Sequence, residues 1–291
     1  MEVVRITPRG YCHGVVDAFR IAKRVRAETD GPVYMLGQLV HNHHVTDELQ
    51  EQGIQLIDVQ DRMQGLDQIG GGTVIFTAHG ISPQVREKAA KLGLNAVDAT
   101  CSDVVRTHDL VKRLVAEGFD VIYIGRRGHP EPAGVMGHAP ERVHLVQEPE
   151  DLDSLSLTDE RIAVTCQTTL SVWDTEAMIS LIQERWPQAE VHNEICLATQ
   201  ERQEAAVQAA REVDCVIVVG SPRSSNSQRL VEVVEKLAGR PAYLVDDLPD
   251  IQPEWFDGVS KVGVTSGAST PSQLTRRVIE HLEQMEVAAA S

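Results

Sequence analysis

Short apolar runs alternate along the chain with segments in which apolar side chains recur every three or four positions, the patterns of strands and of helices that bury one face. Met1–Ile6 reads as a first strand, and beyond Gly14 the residues Val15, Phe19, Ala22 and Val25 share one helical face, with Arg20, Lys23 and Arg24 mostly opposite. Strands are predicted at Pro32–Leu36, Ile54–Ile57 and Thr73–Thr77, with a short helix at Asp47–Gln52 and another opened by Ser82 as cap and Pro83 in its first turn. The run Ala96–Cys101 leads into a helix bearing Val104, Val105, Leu110, Val111, Leu114 and Val115. Strands at Val121–Ile124, Val143–Val146 and Ile162–Thr165 follow, then a helix over Val172–Trp186. Beyond Cys196 the pattern predicts a helix to Val213, strands at Asp214–Val219, Ala242–Val245 and Val262–Thr265, and a closing helix ending near Met285. The glycines and prolines between Gly125 and Gly134 predict an irregular loop that neither a helix nor a strand follows. Strands alternating with helices call for parallel sheets covered on both faces.

The pattern also repeats. Cys12, Cys101 and Cys196 each stand at the start of a predicted helix, and a glycine closing an apolar run follows each at Gly37, Gly125 and Gly220, spacings of 25, 24 and 24 residues. His41, His129 and Ser224 each lie four residues past that glycine, and later apolar runs end in Thr77, Thr165 and Thr265. The reading is an α/β fold made of three copies of one unit with mainly parallel sheets, over residues 1–95, 96–190 and 191–291. A closed, pseudo-threefold arrangement of such units would turn three thiols and three polar loops toward one central cavity.

Composition narrows the function. The 291 residues, 42% of them hydrophobic, suffice for substantial cores; length alone suggests about two domains, whereas the repeat argues for three. With 27 basic and 43 acidic residues the net charge is −16, which disfavours nucleic-acid binding through phosphate neutralisation. The amino terminus lacks the basic-then-apolar pattern of a signal peptide, and no apolar run approaches the roughly 18 residues that span a bilayer. Five dispersed cysteines, an odd number, point to a reducing cytoplasm and away from a disulfide framework.

Three cysteines at helix starts form a ligand set, because the helix dipole and free N–H groups favour the thiolate that a metal needs. Three thiolates about a threefold axis could hold one zinc or the basal irons of a cubane, and the cubane fits the symmetry better. Cys166 and Cys215 lack equivalents in the repeat and read as small buried hydrophobes. Ligands of open α/β sheets bind beyond the carboxyl ends of strands, where His41, His79, His129, Thr168, Ser224, Ser225, Asn226 and Ser269 fall. His13, His43, His44, His108 and His138 have no such placement and read as structural or exposed. Glu131 is either a solvated loop carboxylate or, if sheltered from water, an acid able to deliver protons near neutrality. A zinc-dependent phosphate-ester hydrolase and a metal-free anion-binding α/β module are the alternatives open at this point.

Eight ordered motifs carry a resemblance across nearly the whole chain: Pro8–Cys12, Val40–Asn42, Ala78–Gly80, Asp98–Cys101, Gly128–Glu131, Gln167–Ser171, Ser224–Ser227 and Gly263–Ser269. Together they resemble the 4-hydroxy-3-methylbut-2-enyl diphosphate reductase family, which closes the methylerythritol phosphate route to isoprenoids. The resemblance implies a trefoil of three α/β domains around a [4Fe-4S] cluster held by Cys12, Cys101 and Cys196, with one iron open for substrate. It also implies removal of the allylic hydroxyl by two electrons and two protons, giving isopentenyl and dimethylallyl diphosphates. By the same implication His41, His79, His129, Ser224, Ser225, Asn226 and Ser269 hold the diphosphate and Thr168 meets the substrate hydroxyl. Glu131 supplies protons, with His129 and Thr168 in its catalytic group. Electrons come from an external ferredoxin or flavodoxin, since no flavin or nicotinamide fingerprint is present. Two positions depart from the family's pattern: Ser102 stands where proline is common, and Cys166 where a hydroxyl residue is expected.

Overall fold

The computed structural model describes residues 1–157 and 161–289. The chain opens on β1 (Glu2–Arg5) and α1 (His13–Glu28), then runs β2 (Val33–Leu36), α2 (His43–Glu51), β3 (Ile54–Ile57), α3 (Arg62–Leu66), β4 (Thr73–Phe76), α4 (Pro83–Lys91) and β5 (Asn95–Asp98). It continues with α5 (Ser102–Ala116), β6 (Asp120–Ile124), α6 (Pro130–Met136), β7 (Val143–Val146), β8 (Ile162–Cys166), α7 (Val172–Arg185) and β9 (Glu190–Val191). The last stretch comprises α8 (Leu197–Ala210), β10 (Cys215–Val219), α9 (Ser225–Val233), β11 (Ala242–Val245), β12 (Lys261–Ser266) and α10 (Ser272–Ala289).

Among the described residues the strands form three four-stranded sheets in which every pairing is parallel. Their orders are β3-β2-β4-β5, β7-β6-β8-β9 and β11-β10-β12-β1. One connectivity thus occurs three times, and the fourth strand of the third sheet is β1, with Val3 opposite Val262 and Arg5 opposite Val264. Each fourth strand is the one that delivers a cysteine: β5 precedes Cys101, β9 precedes Cys196 and β1 precedes Cys12.

Met1–His13, His41–His44 and the chain from Cys196 onward make one compact unit, which contains the third sheet. There, period-two alternation sends Cys215, Ile217 and Val219 of β10 toward Leu274, Val278 and Leu282 of α10, and Val216 and Val218 toward Ala206 and Ala210 of α8. Gly14–Val40 and Val45–Ile195 make the other unit, which holds the first and second sheets. Its strand β6 divides in the same way, Ile122 and Ile124 packing with Met178 and Ile182 of α7, and Val121 and Tyr123 with Leu110 and Leu114 of α5. Burying each such side chain contributes about 1.5–3 kcal/mol, and a one-residue slip would swap the two buried faces and mismatch the packing on both.

Several predicted boundaries move. The stretch expected to be a loop throughout ends in helix α6, which tolerates Pro130 and Pro132 because the first-turn N–H groups of a helix have no intrahelical acceptor. Helix α2 begins at His43 rather than Asp47, its His44 N–H capped by Asn42 Oδ1 at 3.0 Å. Helix α8 stops at Ala210 rather than Val213, and α3, β9 and the α9 helix beyond its cap were not predicted as elements. Ser82 caps α4 as expected, accepting from Val85 N.

Candidate functional site

The unit containing the second sheet presents an acid. Glu131 lies in the first turn of α6 and is 1% exposed. Its Oε1 accepts from Thr168 N at 2.8 Å and its Oε2 from Thr168 Oγ1 at 3.0 Å, with Tyr123 Oη at 3.4 Å from Oε1. Burial pushes the carboxyl up to about 7, and the hydrogen bonds from Thr168 and Tyr123 only partly oppose it. The Tyr123 hydroxyl rises well above its ordinary range, first through burial and then through the Glu131 charge. Gln167 fixes the Thr168 turn: its Oε1 accepts from Arg126 N and its Nε2 reaches Thr169 Oγ1, each at 3.0 Å.

His129 caps α6, its Nδ1 accepting from Glu131 N at 3.2 Å. That bond assigns the neutral ring's proton to Nε2, which is then a donor. His79 meets His129 edge to face with ring centroids 5.2 Å apart. The His79 turn is braced by Arg62, whose Nη1 donates to Gly80 O at 2.6 Å and Nη2 to Thr77 Oγ1 at 2.9 Å. Burial lowers this guanidinium to about 10, leaving it charged at neutral pH. Cys101 is the half-buried N-cap of α5 and makes no side-chain capping bond. A Cβ on Gly14 would overlap its Sγ, so glycine there leaves the sulfur its space.

The other unit presents neutral donors. Ser224 caps α9, accepting from Ser227 N at 3.3 Å, and Ser225 and Asn226 follow in the first turn. All three are buried, as is Ser269, whose Oγ lies 3.5 Å from both Ser224 Oγ and the His41 carbonyl. Asn226 ties this loop to a cysteine: Oδ1 accepts from Ala268 N at 2.9 Å, and Nδ2 donates to Thr199 Oγ1, itself 3.2 Å from Cys196 Sγ. Cys196 is the half-buried N-cap of α8, without a side-chain capping bond. Cys12 immediately precedes α1 and is held through its N–H to Ala268 O at 3.0 Å.

The three repeat-related cysteines therefore share a setting, half-buried and at a helix start, and Cys101 and Cys196 stay outside the capping role that their position offers. These are thiol donors suited to a soft metal or an iron–sulfur group. Cys166 and Cys215 differ, because burial pushes their thiols up to about 12 and about 11 and keeps them protonated. Cys166 accepts from Glu194 N at 3.3 Å and so braces the segment entering Cys196. His108, buried, and His138, half-buried, pair at 2.8 Å, both lowered to about 4 chiefly by burial. They fit the structural role that the sequence suggested. Arg62 and Tyr123 carry no signal in the sequence, and Gln167 is marked there only as a motif residue without a role; each acts through a partner at least eight residues away.

The chain matches the LytB protein family over residues 3–283. A 4-hydroxy-3-methylbut-2-enyl diphosphate reductase of Symbiobacterium thermophilum is 55% identical to it over 290 residues, covering 99% of this chain and 98% of the relative. A protein of the same name from Halalkalibacterium halodurans is 54% identical over 288 residues, covering 98% and 92%. The solved structure of the E-1-hydroxy-2-methyl-but-2-enyl-4-diphosphate reductase from Plasmodium falciparum superposes with a TM-score of 0.91 at 33% identity, covering 97% of this chain and 87% of that one. With a family match over almost its whole length and relatives more than half identical to it, this chain belongs to the LytB family.

Proposed function

We propose that this chain catalyses the reductive dehydroxylation of (E)-4-hydroxy-3-methylbut-2-enyl diphosphate. The substrate takes up two electrons and two protons, its allylic C–O bond breaks, a C–H bond forms, and isopentenyl or dimethylallyl diphosphate leaves together with water. The observation that carries this reading is Glu131, a carboxyl sealed from water with a value of about 7, held by the backbone and hydroxyl of Thr168. At neutral pH such a group is near half-protonated, the condition under which an acid gives up a proton and is readily reloaded. Thr168 fixes where that proton sits and meets the substrate hydroxyl. His41, His79, His129, Ser224, Ser225, Asn226 and Ser269 hold the diphosphate. The buried neutral donors at the start of α9 supply N–H and O–H groups to the anion without adding repulsion.

The family brings an iron–sulfur cofactor with it. In this reading it is a [4Fe-4S] cluster on Cys12, Cys101 and Cys196 with one iron open to substrate. When bound, it supplies electrons, which no side chain here can provide, and a Lewis-acidic metal. An external ferredoxin or flavodoxin delivers those electrons. No described helix is long and apolar enough to cross a membrane; in this reading the location is cytoplasmic, supported by the odd number of dispersed cysteines in the sequence. The repeat supports a division into three related segments, 1–95, 96–190 and 191–291. A zinc hydrolase is disfavoured, because the relatives bear the name of a reductase.

The test is anaerobic purification with metal analysis and turnover. A brown protein with about four irons and four sulfides per chain, active on the diphosphate alcohol with a chemical reductant, is expected. Zinc alone, or no metal, would overturn the reading. Cys101→Ser should lose most of the iron and Cys215→Ser should keep it; equal loss from both would remove the ligand assignment.

A further inference from the structure

Arg202, in α8, is 4% exposed. Its Nη1 donates to Ala198 O and its Nη2 to Gly10 O, each at 2.8 Å, while Nε is buried without an acceptor. No carboxylate pairs with it among the described residues. A guanidinium withdrawn from water with only carbonyl partners is strongly unfavourable unless an anion balances it. The two carbonyls locate that anion: Gly10 stands two residues before Cys12, and Ala198 two residues after Cys196. Burial lowers the Arg202 pKa, and the charges of Cys12 and Cys196, ahead of that of Glu201, act to restore it.

We infer that Arg202 is the counter-charge of the iron–sulfur site: a positioning residue that ties the Cys12 and Cys196 segments together and makes the bound cluster easier to reduce. The inference rests on the reading of Cys12 and Cys196 as cluster ligands. Thiolate-ligated clusters are anionic, and reduction adds a further negative charge. A fixed cation nearby in a low-dielectric setting favours the reduced form, since net charge and hydrogen bonding around the ligands set the potential. In a chain of net charge −16 the wider field works the opposite way, so a local cation has an effect to oppose. The Gly10 turn is built to hold this contact. Its φ is +78°, its N–H reaches Ser266 Oγ at 2.8 Å, and a Cβ there would lie 2.6 Å from Ser272 Oγ.

The experiment compares holoprotein of the unaltered chain, Arg202→Lys and Arg202→Met, each loaded anaerobically, assayed for iron and sulfide, and titrated for cluster reduction by electron paramagnetic resonance. At a fixed solution potential, Arg202→Met should lower the ratio of reduced to oxidised cluster by about tenfold, about 59 mV for a one-electron couple. Arg202→Lys, which keeps the charge but not the two-carbonyl fork, should titrate close to the unaltered protein. An unchanged potential in Arg202→Met overturns the inference, and so does an equal shift in both variants. If Arg202→Met takes up no iron, Arg202→Lys decides: loading with a near-normal potential supports the counter-charge, and failure to load overturns it. Absence of a cluster from the unaltered chain would instead remove the ligand reading beneath it.

Discussion

The second and third sheets place their loops at the same topological positions and fill them with opposite chemistry. Beyond its first strand the second sheet carries His129 and Glu131, and beyond its third strand Thr168; the third sheet carries Ser224–Asn226 and Ser269 there. In each case a helix begins at the loop with a side-chain cap, His129 for α6 and Ser224 for α9. The second-sheet loops are joined through a carboxyl, with Thr168 bonding both Glu131 oxygens, and the third-sheet loops through hydroxyls and an amide. One region can titrate near neutrality; the other holds a constant charge at any physiological pH. In the proposed reading the second-sheet loops carry the acid beside one diphosphate-holding histidine, His129, whereas the third-sheet loops contribute only neutral donors.

This contrast can be broken by experiment. The largest effect is expected from Glu131→Gln, which preserves size and can still bond Thr168: kcat should fall about 10²- to 10⁴-fold, the usual worth of a general acid, with iron content and KM little changed. Turnover near normal in steady-state assays would return Glu131 to a structural role. In the unaltered enzyme kcat should decline as pH rises through about 7, because the protonated form is the one that gives up the proton.

Stability should show the same carboxyl with a defined sign. Glu131 lies near 4.5 in the unfolded chain and about 7 when buried, so between these values the folded state binds more protons. Its stabilising contribution is complete below the lower value and lost as pH climbs through the higher one, a swing of about 3 kcal/mol. Denaturant titrations of the metal-free protein at either end of that window should show the swing, and Glu131→Gln should flatten it. An equal slope in the variant would assign the pH dependence elsewhere.

On the third sheet the effects should be smaller and independent of pH. Asn226→Ala removes the bonds to Ala268 N and Thr199 Oγ1 and should raise KM for the diphosphate about tenfold, or about 1.4 kcal/mol. Ser269→Ala breaks only two contacts of 3.5 Å within the fold and should leave the melting temperature nearly unchanged, with a several-fold rise in KM. A pH-dependent KM defect in either variant that is absent from the unaltered chain would dissolve the distinction between the two regions.

Much of the fold is legible in the sequence. The strands read correctly because continuous apolar runs such as Cys215–Val219 bury both faces, and the repeat placed the three cysteines at helix starts in the right relation to their sheets. Helices α6 and α9 were obscured because prolines, glycines and serines that punctuate a loop are also tolerated in a helix's first turn. The two-residue strand β9 carries no periodicity to read. Glu131 could be named as a candidate, but its elevated value depends on the burial given by α6 and on the Thr168 turn 37 residues away. Arg62 and Arg202 were missed for a related reason. An arginine on a helix face looks solvated in sequence, and only the fold shows that its acceptors are carbonyls of a distant turn.

The pairing of β1 with β12 couples the earliest part of the polypeptide to nearly the latest. During synthesis the segment bearing Cys12 emerges with no sheet to join, and its hydrogen-bonded neighbour is translated some 260 residues later. Loop closure over that span makes docking of β1 a late, non-local step. Ser266 and Ala268, which grip the turn around Gly10 and Cys12, belong to the same late-made stretch. A nascent chain halted before β12 would therefore carry Cys12 beside a strand that has no sheet to join.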